Sequence, residues 1–279
     1  MSAVPMAPMS HAEHFGRLVR SPIVPLGEAC FVIAAQLGHP DPISRGMATL
    51  EALTDETAAA LAEAHGPAHP RLDQVAHHLF GTRGFRGDAD VYYDVRNSLL
   101  PDVLRRGIGI PITLGILLIE VAQRLDVSAT GVGMPGHFLV GDGAAPTRWV
   151  DGFGGGRWLD ASEAEQRFRV IHGESATFDP AFLAPTPRPQ ILARVLANLA
   201  GIYRTIGDPT LLLRSLEMRC DIPGVGTAPR GQVELAEAYV SVGRVDAAIE
   251  VLESLTERVD PRRREVLAER IGLLRAALN

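Results

Sequence analysis

From Ile110 to Val121 the chain reads IPITLGILLIEV, with Glu120 its only charged residue. This segment is too short to span a bilayer, and Arg124 follows soon after. It reads instead as a buried helix, from about Ile112 to Leu125. Immediately beyond it the period changes from helical to alternating. Residues 136–140 (GHFLV) and 147–151 (TRWVD) read as two short strands, with the hairpin-like loop GDGAAP between them. A buried helix packed on a small antiparallel sheet is therefore the expected core, and the fold class is α+β.

On the N-terminal side, apolar residues return every three or four positions. Ala29, Ile33 and Leu37, then Met47, Leu50 and Leu53, mark two amphipathic helices broken at Gly38-His39-Pro40-Asp41-Pro42. A third runs from about Arg71 to Phe80 and ends at Gly81. Residues 1–22 are small and rich in Pro and Met, and are expected to be flexible. A Pro-rich stretch, Leu183 to Pro189, reads as a linker, and everything after it as helix. The expected divisions are thus 1–22, 23–183 and 184–279.

A net charge of -6 and the absence of a basic stripe argue against a nucleic-acid partner. The run Pro261-Arg262-Arg263-Arg264 is followed by Glu265 and Glu269 and reads as a solvated helix start. The two cysteines, Cys30 and Cys220, are far apart, which fits a reducing compartment and no thiolate metal site. The first residues lack a basic segment followed by an apolar one, so a cytoplasmic location without membrane attachment is expected.

The hairpin carries the candidate site. If its loop is centred on Ala144, an antiparallel register sets His137 directly across from Asp151, with Cβ atoms about 5 Å apart. A one-residue slip would place them on opposite faces. A carboxylate beside an imidazole is the arrangement that orients the ring for proton transfer.

Residues 93–100 (YDVRNSLL), 106–114 (RGIGIPITL), 131–140 (GVGMPGHFLV) and 149–157 (WVDGFGGGR) resemble the SirB-type bacterial proteins. These form part of the transglutaminase-like branch of the papain-like superfamily and commonly carry tetratricopeptide-like helices at the C-terminus. The resemblance runs from about Leu26 to the end. It implies a transglutaminase-like domain over 23–183 and a tetratricopeptide-like helical region over 184–279. The spacing of Ala236, Tyr239, Gly243, Ala247, Ala248 and Pro261 matches one such helix pair.

Enzymes of that superfamily use a Cys at the start of the buried helix, with a His and an Asp on the strands that follow. His137 and Asp151 match the two strand positions. The nucleophile does not carry over, because the helix begins Pro111-Ile112-Thr113. Gly152 is a second departure, where the family usually has Pro. Thr113 has a hydroxyl at the right end of the helix and is the candidate replacement nucleophile; its structural alternative is to satisfy backbone groups of the first turn. Cys30, in GEACFVIAAQL, reads as a buried small hydrophobe, and Cys220 lies in the C-terminal helices.

Other candidates are weaker. His65 and His69 are separated by Gly66-Pro67, which breaks the helix that would align them, and His77-His78 point in different directions; no metal site is expected. The glycines of 152–156 lack the GxGxxG order, Gly107-Ile108-Gly109-Ile110 lacks the Gly-Lys-Ser/Thr of a phosphate loop, and both read as turns. Glu120 and Arg124 have the orientation of an i,i+4 salt pair. The polar, aromatic segment from Tyr92 to Ser98 either lines a cleft beside His137 or forms a loop folded on its own hydrogen bonds.

Two functions follow. One is a transglutaminase-like protein without the catalytic cysteine, acting as a protein- or peptide-binding or regulatory module. The alternative is a hydrolase or acyltransferase on amide or ester bonds, using His137–Asp151 with Thr113 or water. A third possibility is that the His–Asp pair only ties two strands together. No cofactor is implied, the expected partner is a protein or peptide, and the oligomeric state stays open.

Overall fold

The apolar run becomes helix α6, Pro111–Arg124, in which every residue from Pro111 to Ala122 is buried. Pro111 occupies the first helical position, where its missing N–H is not needed. The computed structural model describes residues 9–41, 43–65 and 71–278. Within them, helices α2 (Leu26–Gln36), α3 (Ile43–His65), α4 (Leu72–Ala76) and α5 (Leu100–Arg106) pack against α6. Strands β1 (Ala129–Val132) and β2 (Leu139–Asp142) also pack against it. The third expected helix is shorter than its apolar pattern: after Ala76 the chain widens into a π-helical turn, His77–Thr82.

The sheet has four antiparallel strands in the order β1-β2-β3-β4, completed by β3 (Trp149–Asp151) and β4 (Arg157–Leu159). Phe138 and Val140 face α6. A Cβ built on Gly115 of α6 would lie 2.4 Å from the Phe138 ring, so only glycine admits the sheet this closely. The opposite face, with Val132, Leu139, Trp149 and Leu159, packs on Ala164 and Phe168 of α7 (Ala161–His172).

Both hairpin strands start later than the alternation suggests. Gly136, at φ 73°, and the hydrogen bond from His137 N–H to the Met134 carbonyl (3.0 Å) hold residues 134–137 in a turn, so β2 begins at Leu139. The register pairs Val140 with Val150, which centres the loop on Ala145 rather than Ala144. His137 and Asp151 are therefore offset by two residues instead of lying directly opposite. An even offset keeps them on one face.

The chain divides into two compact units, Pro25–Val195 and Met1–Val24 with Leu196–Asn279. The division falls at 195/196 rather than 183/184. The Pro-rich stretch is no free linker: Thr186 N–H donates to the Gly131 carbonyl (2.8 Å), and Gly133 N–H donates to Thr186 Oγ1 (2.7 Å). Helix α8 (Arg188–Ile206) follows, and Ile191, Leu192 and Val195 in its first half are buried in the sheet-bearing unit. In the other unit, α9 (Pro209–Cys220), α10 (Pro229–Ser241), α11 (Val245–Thr256) and α12 (Pro261–Ala277) are all helical. Ala236 and Ala248 sit in the core of the α10–α11 pair with Leu252 and Leu255. Part of the N-terminal segment expected to be flexible is a capped helix, α1 (His11–Leu18): the Ser10 hydroxyl accepts from Glu13 N–H, and Phe15 is fully buried.

Gly115→Val is expected to lower stability by about 1–3 kcal/mol through overpacking. Gly272→Ala, inside α12 with open space at its Cβ, should instead raise it, by up to about 1 kcal/mol. Urea midpoints measured by far-ultraviolet circular dichroism would show shifts of opposite sign.

Candidate functional site

His137 extends from the turn before β2, and Asp151 ends β3. Their side chains meet with His137 Nε2 2.8 Å from Asp151 Oδ1. Oδ1 also accepts the Gly154 N–H (3.0 Å), and Arg167 Nε of α7 lies 3.7 Å from Oδ2. Gly155 and Gly156, at φ 77° and 81°, fold the chain back so that Gly156 N–H reaches the Asp151 carbonyl (2.9 Å). Burial alone pushes the Asp151 carboxyl upward. The His137 hydrogen bond and charge, the Gly154 N–H and Arg167 outweigh it and hold the group below the usual carboxylate value.

The pair is enclosed. Its side chains are 3% and 6% exposed. Continuing the β2–β3 register by two residues puts Phe153 opposite His137, and their rings meet edge to face with centroids 6.2 Å apart. Phe153 fits against Gly87, where a Cβ would lie 2.2 Å from the ring, and it carries Tyr92 at 5.9 Å. Tyr92 is thus one aromatic layer removed from His137 rather than beside it, and Tyr93 is 80% exposed. His137 Nδ1 takes part in no hydrogen bond among the described residues.

Thr113 is also buried, and its hydroxyl serves the backbone. Thr113 Oγ1 donates to the Asn97 carbonyl (2.8 Å) and accepts the Ile110 N–H (3.1 Å). The side chain of Asn97, fully buried, donates from Nδ2 to the Val91 carbonyl (2.7 Å) and accepts Arg106 Nη1 at Oδ1 (2.8 Å). One residue therefore joins the start of α6, the end of α5 and the loop that carries Tyr92.

Neither thiol lies at the start of α6. Cys30 is buried in α2, where desolvation and the nearby Glu120 charge push it far up, and Cys220 ends α9. Glu120 and Arg124 do pair, at 2.6 Å, but Glu120 is buried rather than solvated. Among the described residues no three His, Cys, Asp or Glu converge to hold a metal ion, and no helix is long and apolar enough to cross a membrane. His69 and the Gly66-Pro67 break lie outside the described residues.

A family model of the transglutaminase-like superfamily matches residues 45–197, more than half of the sequence. The chain belongs to the transglutaminase-like superfamily. The match contains α6, the sheet, His137 and Asp151. A UPF0162 protein of Xylella fastidiosa is 43% identical over 140 residues, 48% of this chain and 49% of that protein. A UPF0162 protein of Pseudomonas aeruginosa is 30% identical over 146 residues, 52% of this chain and 53% of its own length. F-box only protein 21 of Mus musculus is 29% identical over 145 residues, 49% of this chain and 22% of that protein. The chain thus spans about half the length of the bacterial relatives it matches.

Four features of the site have no clear local signal: Arg167, Asn97, the Gly154 N–H and the place of Phe153. Arg167 and Asn97 reach the site from elements distant in sequence, and Phe153 depends on the hairpin register.

Thr113→Val is expected to destabilise the fold by about 1–2 kcal/mol, because a buried Ile110 N–H loses one of its two acceptors. Thermal unfolding against Thr113→Ser, which keeps the hydroxyl, would separate this from lost volume. The lowered folded-state value of Asp151 fixes the sign of its acid dependence. Its stabilisation is complete above its unfolded value of about 3.9 and disappears as pH falls through the lower folded value. Tm measured between about pH 6 and pH 2.5 should therefore fall more steeply for the wild type than for Asp151→Asn.

Proposed function

We propose that the chain is a transglutaminase-like module that binds a protein or peptide without catalysing a reaction, with His137–Asp151 retained as a brace between β2 and β3. The observation that carries this reading is the enclosure of the pair, whose side chains are 3% and 6% exposed. A hydrolytic site needs substrate within hydrogen-bond reach of its base. Here Phe153 packs edge to face against the imidazole, and the hydroxyl at the start of α6 is committed to the Asn97 carbonyl. Support for a binding role comes from the resemblance to SirB-type proteins and from the tetratricopeptide-like spacing in α10–α11. A cytoplasmic setting suits the two free cysteines.

The alternative, a hydrolase or acyltransferase, is favoured by one feature: His137 Nε2 is engaged with Asp151 while Nδ1 is uncommitted, which leaves that nitrogen able to accept a proton from water. The two readings separate on His137→Ala. Under the binding reading the wild type shows no turnover of p-nitrophenyl acetate or a fluorogenic peptide amide above buffer. The variant then loses roughly 1–3 kcal/mol of stability, because Asp151 stays buried without its partner. Wild-type turnover that disappears in a folded His137→Ala variant would establish the enzyme instead.

A further inference from the structure

We propose that Arg194 is a recognition point for a carboxylate on the bound peptide, set one backbone carbonyl away from His137; this rests on the binding reading above. Arg194 belongs to the first half of α8. Its Nη1 donates to the Met134 carbonyl (3.0 Å), the same oxygen that accepts the His137 N–H (3.0 Å). A Cβ at Gly133 would come within 3.3 Å of Nη1, so the absent side chain leaves room for the guanidinium to reach the turn.

What sets this cation apart is partial burial without a countercharge. Arg96 and Arg105 on neighbouring segments each hold a carboxylate, of Asp94 and Asp102, and Arg124 holds Glu120. Arg194, half-buried, has no carboxylate partner among the described residues. Desolvation lowers its pKa from the ordinary guanidinium value, and the nearby Tyr92 phenol acts in the opposite direction. A guanidinium offers five N–H donors in a planar fork, and the Met134 carbonyl uses one. A cation partly withdrawn from water without a countercharge carries a penalty that an anionic ligand would relieve.

The surroundings narrow the ligand class. The fork pairs bidentately with a planar two-oxygen acceptor. Tyr92 stacks edge-on against Phe153, which stacks on His137, so an aromatic wall adjoins the cation. A peptide carboxylate, either an Asp or Glu side chain or the chain terminus, next to an apolar residue fits both features. Binding there would pull on the carbonyl that also holds the His137 backbone.

The full-length protein would be titrated with three probes: acetyl-Phe-Glu-amide, acetyl-Phe-Gly with a free terminus, and the neutral acetyl-Phe-Gln-amide. Ring 15N signals of labelled histidines and Tm would be followed. The expected result is saturable binding of an acidic probe below about 10 mM, at least about tenfold tighter than the neutral one, with a shift in the His137 ring signals. The acidic probe that binds identifies side chain or terminus. Arg194→Gln should abolish the preference. Arg194→Lys keeps the charge but loses the planar fork and should reduce it, which provides a folded variant if Arg194→Gln fails to fold. Equal binding of acidic and neutral probes, no saturable binding, or a preference that survives in Arg194→Gln would overturn the proposal. None of these outcomes bears on ester or amide turnover, which tests the binding reading separately.

Discussion

Helix α6 is buried from Pro111 to Ala122, and a helix can be enclosed in this way only if the polar groups of its first turn are satisfied from within. Thr113 and the Asn97 carbonyl do this for the Ile110 N–H at the N-cap. The carbonyl accepts both the Thr113 hydroxyl and the Ile110 N–H (3.2 Å), while the Asn97 side chain holds the Val91 carbonyl and Arg106. Four helices and two strands then pack against α6, so β1 and β2 are set directly against this element and β3, with Asp151, is set through its pairing with β2.

The His137–Asp151 pair has the chemistry of a proton-transfer site and the burial of a structural one. In the superfamily's enzymes the Asp orients a His that serves a thiolate. Here His137 Nε2 lies 2.8 Å from Asp151 Oδ1, while Pro111, Ile112 and Thr113 stand at the helix start. Asp151 is held by His137, by the Gly154 N–H and by the nearby Arg167, which makes it a buried charge with its compensation in place. Removing any one partner would expose part of that desolvation cost.

The sheet-bearing unit gathers residues from far along the chain onto one short turn. Met134 bonds to His137 and to Arg194, Pro135 accepts from His172 at 3.0 Å, and Gly133 bonds to Thr186. Helices α7 and α8 and the Pro-rich stretch therefore hold the segment that presents His137. The stretch read as a linker is instead bonded to the edge of β1, because its backbone groups found partners there.

By itself the sequence determined the elements whose signals are local. The uncharged run from Ile110 required a buried helix, the change of period required a small hairpin sheet, and the parity of the strands placed His137 and Asp151 on one face. The boundaries of α6 were legible because Pro111 and the charges after Val121 mark them. Tertiary structure decided what depends on distant partners. It set the register two residues from the expected one, which put Phe153 opposite His137 and Asp151 on the diagonal. It also recruited Arg167 and Arg194 from later helices, committed the Thr113 hydroxyl to Asn97 and joined the start of α8 to the sheet. Periodicity reports which face a side chain occupies, whereas its hydrogen-bond partner across the fold is chosen by packing, and that choice leaves no local mark in the sequence.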